Sequence, residues 1–218
     1  NISHITSIYD EQDRLVEVFA QTYDSLTGAL VPDSKLETFY HGNSSTLIDS
    51  FAVLQWSPDS MDWVVQLTSW NVYDNQNKIL ESYSSIGFLG EPILFRDAYY
   101  YDDKGDNHII ESFAIFEGEE IPRGLTENTF MNHLLTAAVV YALEGDNFIP
   151  ESRETFLYAP FGILSRHSIM AWNLEIENWQ LSITIDHEYD EEQRLSSKFI
   201  TYYSEGVPAD AERPTYLY

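Results

Sequence analysis

Runs of about ten residues in which apolar and polar positions alternate, rich in Val, Ile, Thr, Tyr and Trp, recur along the chain between clusters of Asp, Asn, Gln and Gly. Trp63 to Tyr73 and Ile79 to Leu89 are two such runs, and at about 3.3 Å per residue ten residues make a strand of roughly 33 Å. The polar clusters Asp10 to Asp13, Asp74 to Asn77, Asp102 to Asn107 and Asp190 to Gln193 hold side chains that cap their own backbone or tolerate left-handed geometry. They predict hairpin tips. One region has a different period: in Thr126 to Leu143 the apolar residues Phe130, Met131, Leu134, Leu135, Ala138 and Ala142 fall at spacings of three and four, behind Thr126 and Asn128 as cap candidates. That spacing predicts a short helix near 127–136 that passes into a strand around Ala137.

A fixed interval joins the strand-like runs into a repeat. Trp56 and Trp63 precede Tyr73, Asp74, Lys78, Ile79 and Tyr83, and Trp172 and Trp179 precede Tyr189, Asp190, Arg194, Leu195 and Phe199 at the same spacings. Tyr9, Asp10, Arg14, Leu15 and Phe19 give the second half of a unit at the N-terminus. Weaker copies hold Tyr23, Leu30, Tyr40, Leu47 and Phe51, then Tyr101, Asp102, Ile109 and Phe113 with two extra turn residues, then Tyr141, Phe148, Tyr158 and Ile163 with a shortened turn. The expected organisation is a single β-hairpin repeat domain over 1–218, with copies near 1–19, 20–51, 52–83, 84–113, 137–167 and 168–203 and an irregular tail at 206–218. The fold class is all-β, an antiparallel meander of long hairpins forming a single-layer sheet or a barrel-like shell.

Charge narrows the partners. With 36 acidic and 11 basic side chains the formal net charge is −25, which repels phosphate backbones and anionic lipid, so nucleic acid and membrane insertion are not expected. Such an excess suits either a saline or calcium-containing medium that screens it or an ordinary acidic secreted protein. No apolar run approaches the roughly 18 residues of a membrane span. There is no cysteine, which excludes disulfides, zinc thiolates and thiol catalysis. Asn1 opens a strand-like stretch rather than a signal-peptide pattern, so the chain is expected to be cytosolic or to have lost a leader.

The Tyr-Asp turn followed by a basic residue and Leu, at Tyr9 to Leu15 and Tyr189 to Leu195, resembles the YD repeats of RHS-type and related bacterial surface and secreted proteins. The paired Trp spacing is similar to a variant found in exported bacterial proteins. The resemblance covers most of the chain outside roughly 117–140. Where the usual YD turn has Gly before the basic residue, this chain has Asp13, Asn77 and Gln193. What the resemblance implies is an antiparallel sheet wound into a shell, barrel or extended layer, a secreted or cell-surface location in bacteria, and a role as shell, adhesive stalk or carbohydrate-associated module without chemistry of its own.

The repeat register aligns Glu17, Asp49, Glu81 and Glu111, each two residues before an aromatic: Phe19, Phe51, Tyr83 and Phe113. Alternation would put each acid and ring on one face, giving a stripe that could stack on sugar rings or gather calcium through oxygen ligands, or could simply be a solvated face that opposes edge aggregation. Asp102, Asp103 and Asp106 are candidate ligands for a hard cation, calcium above all, although plain turn chemistry accounts for them without a metal. The five Trp could form a sugar platform or clip hairpins together. No nucleophile with its base, metal cage or phosphate-binding loop is legible; His167 with Ser165 and Ser168, and His187 with Glu188, are the nearest approaches to a triad. The expected function is a non-enzymatic, exported bacterial repeat domain that presents a sheet surface for binding or adhesion, to protein or to carbohydrate. The alternatives are a structural module of a larger surface assembly and a carboxylate-based hydrolase in a barrel mouth.

Overall fold

The computed structural model describes residues 3–44, 46–87 and 92–216. Fifteen strands follow one another: β1 (Ser3–Tyr9), β2 (Leu15–Asp24), β3 (Ala29–Tyr40), β4 (Ile48–Ser57), β5 (Asp62–Tyr73), β6 (Ile79–Ile86), β7 (Ile93–Tyr101), β8 (Asn107–Phe116), β9 (Glu119–Met131), β10 (Leu134–Glu144), β11 (Asn147–Ala159), β12 (Ile163–Asn173), β13 (Asn178–Tyr189), β14 (Leu195–Ser204) and β15 (Val207–Glu212). They hydrogen-bond in chain order as an antiparallel meander, with β1 and β15 at the two ends of that order, so the sheet is not closed. The all-β hairpin meander expected from the repeat is therefore the fold. Of the run Ile79 to Leu89, residues 79–86 form β6 and 88–89 lie outside the described residues. The chain falls into two compact units, Asn1–Ala98 with Ser112–Ile121 and Tyr99–Glu111 with Pro122–Tyr218.

Two local expectations are corrected. Residues 127–136 are not helical: β9 runs to Met131 and β10 starts at Leu134, joined by Asn132 and His133 with φ of 53° and 63°. Two successive positive φ values are the signature of a tight two-residue hairpin turn, and the flanking Thr129, Thr136, Val139, Val140 and Tyr141 favour strands. Apolar residues at spacings of three and four arise here because both faces of the sheet carry apolar side chains, not because one helical stripe does. The tail expected to be irregular contains β15, and beyond it Thr215 bridges back to Ser197.

Nearly every pairing contains one register shift. Near the Tyr-Asp tips, Tyr9 opposes Leu15 while Ile8 opposes Glu17, so Val16 is an extra residue; Asp49, Leu80 and Ser196 stand in the same place on β4, β6 and β14. At the opposite tips, Asp33, Gln66 and Ser182 are extra. A bulge repeated at each hairpin end sharpens the local twist and resets the alternation of side chains.

A β-sheet buries its apolar side chains only where something packs on its faces. Accordingly Leu54 and Ala98 are the buried hydrophobic residues, no side chain among the described residues is fully buried, and large apolar groups such as Ile5, Phe39 and Val65 remain exposed. In place of a deep core, successive hairpins are tied by a recurrent hydrogen bond. A tyrosine at or next to the end of one strand donates its hydroxyl to the carbonyl of the first or second residue of the return strand of the previous hairpin: Tyr40 to Leu15 at 3.0 Å, Tyr73 to Ile48 at 2.6 Å, Tyr158 to Leu135 at 2.8 Å and Tyr189 to Leu164 at 2.9 Å.

Candidate functional site

The tips are built by their first aspartate. Asp10 Oδ1 accepts the backbone N–H groups of Gln12 and Arg14, and the same pattern holds at Asp74 with Gln76 and Lys78, at Asp102 with Lys104 and Asp106, and at Asp190 with Glu192 and Arg194. In two tips the basic residue closes the loop, with Arg14 Nε donating to Asp10 at 2.6 Å and Arg194 Nε to Asp190 at 2.8 Å. Hydrogen bonds from Arg194 backbone and side chain hold the Asp190 carboxyl below its ordinary range, and backbone N–H groups, that of Asp106 first, do the same for Asp102. The residue before the basic position is left-handed, with φ of 58° at Asp13, 63° at Asn77 and 62° at Gln193, and Gly105 fills that place in the fourth tip. This is the conformation for which glycine is the low-cost residue.

The register set at each tip decides what becomes of the acidic and aromatic stripe. Glu17 and Glu81 occupy one register position, opposite Ile8 and Val72. Asp49 is the bulged residue of β4 and Ser50 takes the equivalent position, so Phe51 alternates to the other face from Phe19 and Tyr83. Glu111 lies in the second unit, five residues beyond Asp106 at the end of its tip, whereas Glu17 lies three beyond Arg14. Asp49 instead bonds His41 at 3.0 Å, and Glu111 accepts from the Tyr100 hydroxyl at 2.7 Å. The tip from Tyr40 to Ile48 is two residues longer than the tip from Tyr9 to Leu15, and a slip of one residue reverses the face of everything after it.

What the structure does bring together on one face of the first unit are two cation-centred clusters. In the first, Lys35 Nζ lies 2.6 Å from Glu37 and 3.9 Å from Glu17, and 5.4 Å from the centroid of the Trp63 ring. Phe19 and Trp56 both pack edge-on to Trp63, at 5.8 and 5.4 Å. In the second, the Arg96 guanidinium donates to Glu81 at 2.9 Å and to Glu120 at 2.8 Å, and lies 4.5 Å from the Phe113 ring. Tyr83, directly opposite Arg96, donates to Glu81 at 2.9 Å and stacks on Trp70 with centroids 5.1 Å apart and planes 4° from parallel. Lys35 and Arg96 stand between the acids, and these two cations are what sequence reasoning left out. The aromatic rings of both clusters are half-buried, with an edge or a face to solvent. In the second unit Trp172 and Trp179 oppose each other directly, centroids 5.0 Å apart, which closes the end of a hairpin as Trp56 and Trp63 do.

Asp102 and Asp106 line a cleft of about 450 Å³ in the second unit, together with Lys104, His108, Phe130 and His133, while Asp103 is exposed and does not line it. Asp102 is engaged by its own turn, and Asp106 takes a contact of 2.9 Å from His133 Nδ1. Among the described residues no group of three or more His, Cys, Asp or Glu is disposed to hold a metal ion. The triad partners do not meet either: His167 Nε2 lies 2.7 Å from Glu154 and stacks on Phe156, Ser168 alternates to the opposite face, and Ser165 bonds the Leu157 carbonyl. Burial holds the His187 imidazole below its usual range, with Lys198 and His167 adding to the effect.

No family model and no curated protein matches the chain. Among solved structures it is similar to a porin-like protein from Bacteroides uniformis, at 8% identity and a TM-score of 0.49 over 96% of this chain and 87% of that one. It is also similar to a DUF3836 family protein from Bacteroides vulgatus, at 13% identity and a TM-score of 0.34 over 42% of this chain and 98% of that one. A third likeness is to the TcdB2-TccC3 complex, at 9% identity and a TM-score of 0.31 over 97% of this chain and 15% of that one.

Proposed function

We propose that the chain is a divergent YD-type hairpin-repeat module, secreted or displayed on a bacterial surface, that acts without catalysis by presenting the charged and aromatic face of its first unit to carbohydrate. The observation that carries this reading is the Trp70 and Tyr83 stack beside the Arg96, Glu81 and Glu120 cluster: half-buried rings next to fixed hydrogen-bonding groups on one face of the sheet. Sugar rings bind such surfaces by laying their C–H faces on aromatic planes while hydroxyls exchange water for charged partners. Equilibrium binding to a panel of neutral glycans tests it, with loss of binding expected for Trp70→Ala. A panel that shows no binding to the native chain rejects the reading, and release of new reducing ends from any bound glycan rejects the non-catalytic part.

A second reading is favoured by the edge strand β1. Its seven residues, Ser3 to Tyr9, include no Lys, Asp, Glu or Pro, while Ile5, Ile8 and Tyr9 are exposed. Edge strands are usually blunted by such residues, and an unblunted one accepts a further strand, so this edge suits a structural module of a larger assembly. Self-association or partner capture that is abolished by Ile5→Lys supports that role, and a strictly monomeric chain at millimolar concentration removes it.

A further inference from the structure

With acids outnumbering bases more than threefold, a basic side chain on this surface has carboxylates to choose from. Arg14, Lys35, Arg96, Arg166, Arg194 and Arg213 each pair with at least one. Arg153 is the exception that bears on function. It makes no side-chain hydrogen bond or ion pair among the described residues, and its Nε is buried without a partner. The side chain is half-buried on β11, directly between Val139 of β10 and Met170 of β12, so its near neighbours across the sheet are apolar. A partly desolvated guanidinium with no counter-charge is costly to keep unless something supplies the charge.

The registers place a row of hydroxyls beside it. Thr155, two residues along the same face, opposes Ser168 of β12; Ser168 opposes Thr184 of β13; Thr184 opposes Thr201 of β14. Four strands at about 4.8 Å carry this row over roughly 14 Å. Thr184 is buried, with its Oγ1 at 3.5 Å from the Tyr203 hydroxyl, whereas Thr155, Ser168 and Thr201 make no side-chain hydrogen bond among the described residues. Thr155, Ser168 and Thr201 are half-buried hydroxyls with donor and acceptor capacity left open, and they lie on the same face of the same unit as the unpaired arginine.

We infer that Arg153 with the Thr155, Ser168, Thr184 and Thr201 row is a binding site for an acidic glycan, the guanidinium taking a uronic acid carboxylate and the row taking sugar hydroxyls. The planar fork of arginine matches a carboxylate through two parallel N–H donations. One guanidinium neutralises one charge, and the net charge of −25 repels a multiply charged anion, which selects a carboxylate over clustered phosphate or sulfate groups. A neutral sugar would leave the guanidinium uncompensated. The inference rests on the reading of this sheet as a carbohydrate-binding surface, but it uses a different unit and different residues from the Trp70 and Tyr83 face.

The test is calorimetric titration of the whole chain with an otherwise neutral oligosaccharide carrying a single uronic acid and with its methyl ester, in parallel for the native protein, Arg153→Gln, Arg153→Lys, Thr155→Val and Trp70→Ala. The expected result is binding of the acid at least about tenfold tighter than the ester, loss of that preference in Arg153→Gln, partial retention in Arg153→Lys, and weakening in Thr155→Val. A charge-assisted bond of about 1.4 kcal/mol corresponds to that tenfold factor. Because Arg153→Gln removes an unpaired charge, it should fold at least as well as the native chain by circular dichroism. Equal affinity for acid and ester, unchanged binding in Arg153→Gln, or no binding of the acid at all overturns the site. No binding of the acid alongside neutral glycan binding that is lost in Trp70→Ala overturns this site while leaving the function proposed for the first unit intact.

Discussion

A tyrosine hydroxyl and a backbone carbonyl about 25 residues earlier in the chain form the smallest unit of cohesion here. The bond is worth more than an exposed one because the carbonyl it reaches sits at a bulged strand end, where the ladder is interrupted. At Ile48 both Asn71 Nδ2 and the Tyr73 hydroxyl donate to the same oxygen. Removing the hydroxyl while keeping the ring isolates the hydrogen bond from the packing. Tyr189→Phe, at a carbonyl for which no second side-chain donor is described, should therefore cost about 0.5–1.5 kcal/mol in urea unfolding, and Tyr73→Phe less, since Asn71 remains. Equal losses at the two positions would show that the hydroxyl contributes through something other than the carbonyl.

Strands and hairpins are the scale at which Arg96 acts: it stands on β7, and its two acids stand on β6 and β9. Its side chain is 13% exposed, so Arg96→Met keeps the packing against Phe113 while leaving Glu81 and Glu120 without their cation. The expected loss is about 1.5–3 kcal/mol, read as a lower urea midpoint with an unchanged slope. This is also the scale at which the sequence was most and least readable. The Trp pairs and the Tyr-Asp turns announce hairpins because each is a pair of residues forced together, across a strand end or around a tip, and pairs leave fixed spacings. Bulges leave none. Asp49 and Phe51 read as members of a stripe because their spacing from Tyr40 nearly matches that of Glu17 and Phe19 from Tyr9, but the tip from Tyr40 to Ile48 is two residues longer than that from Tyr9 to Leu15 and shifts the register. The apolar run from Phe130 to Ala142 read as a helix because apolar side chains on both faces of the sheet relax the strict alternation by which strands are usually told apart. Lys35 and Arg96 were invisible for a related reason: they belong to β3 and β7, and only the pairing brings Lys35 to Glu17 of β2 and Arg96 to Glu81 of β6 and Glu120 of β9.

For the whole chain, the net charge of −25 is carried by a fold with few buried side chains, so self-repulsion acts against marginal cohesion. Raising sodium chloride from about 0.01 M to about 1 M shortens the screening length from about 30 Å to about 3 Å. The melting temperature should rise, by about 2–4 °C for each kcal/mol relieved in a chain of this size. A flat or falling curve would mean that the ion pairs lost to screening outweigh the repulsion removed. The same fold also bears on how the chain comes into being. Each tyrosine tie joins a hairpin to the one made just before it, and Tyr40, Tyr73 and Tyr189 each reach back 25 residues. Every tie can therefore close as soon as one more hairpin has left the ribosome or the export channel, without waiting for any distant part of the sequence. Synthesis from the N-terminus thus proceeds in the order in which the sheet grows, and the folded edge advances by one hairpin at a time toward the growing end.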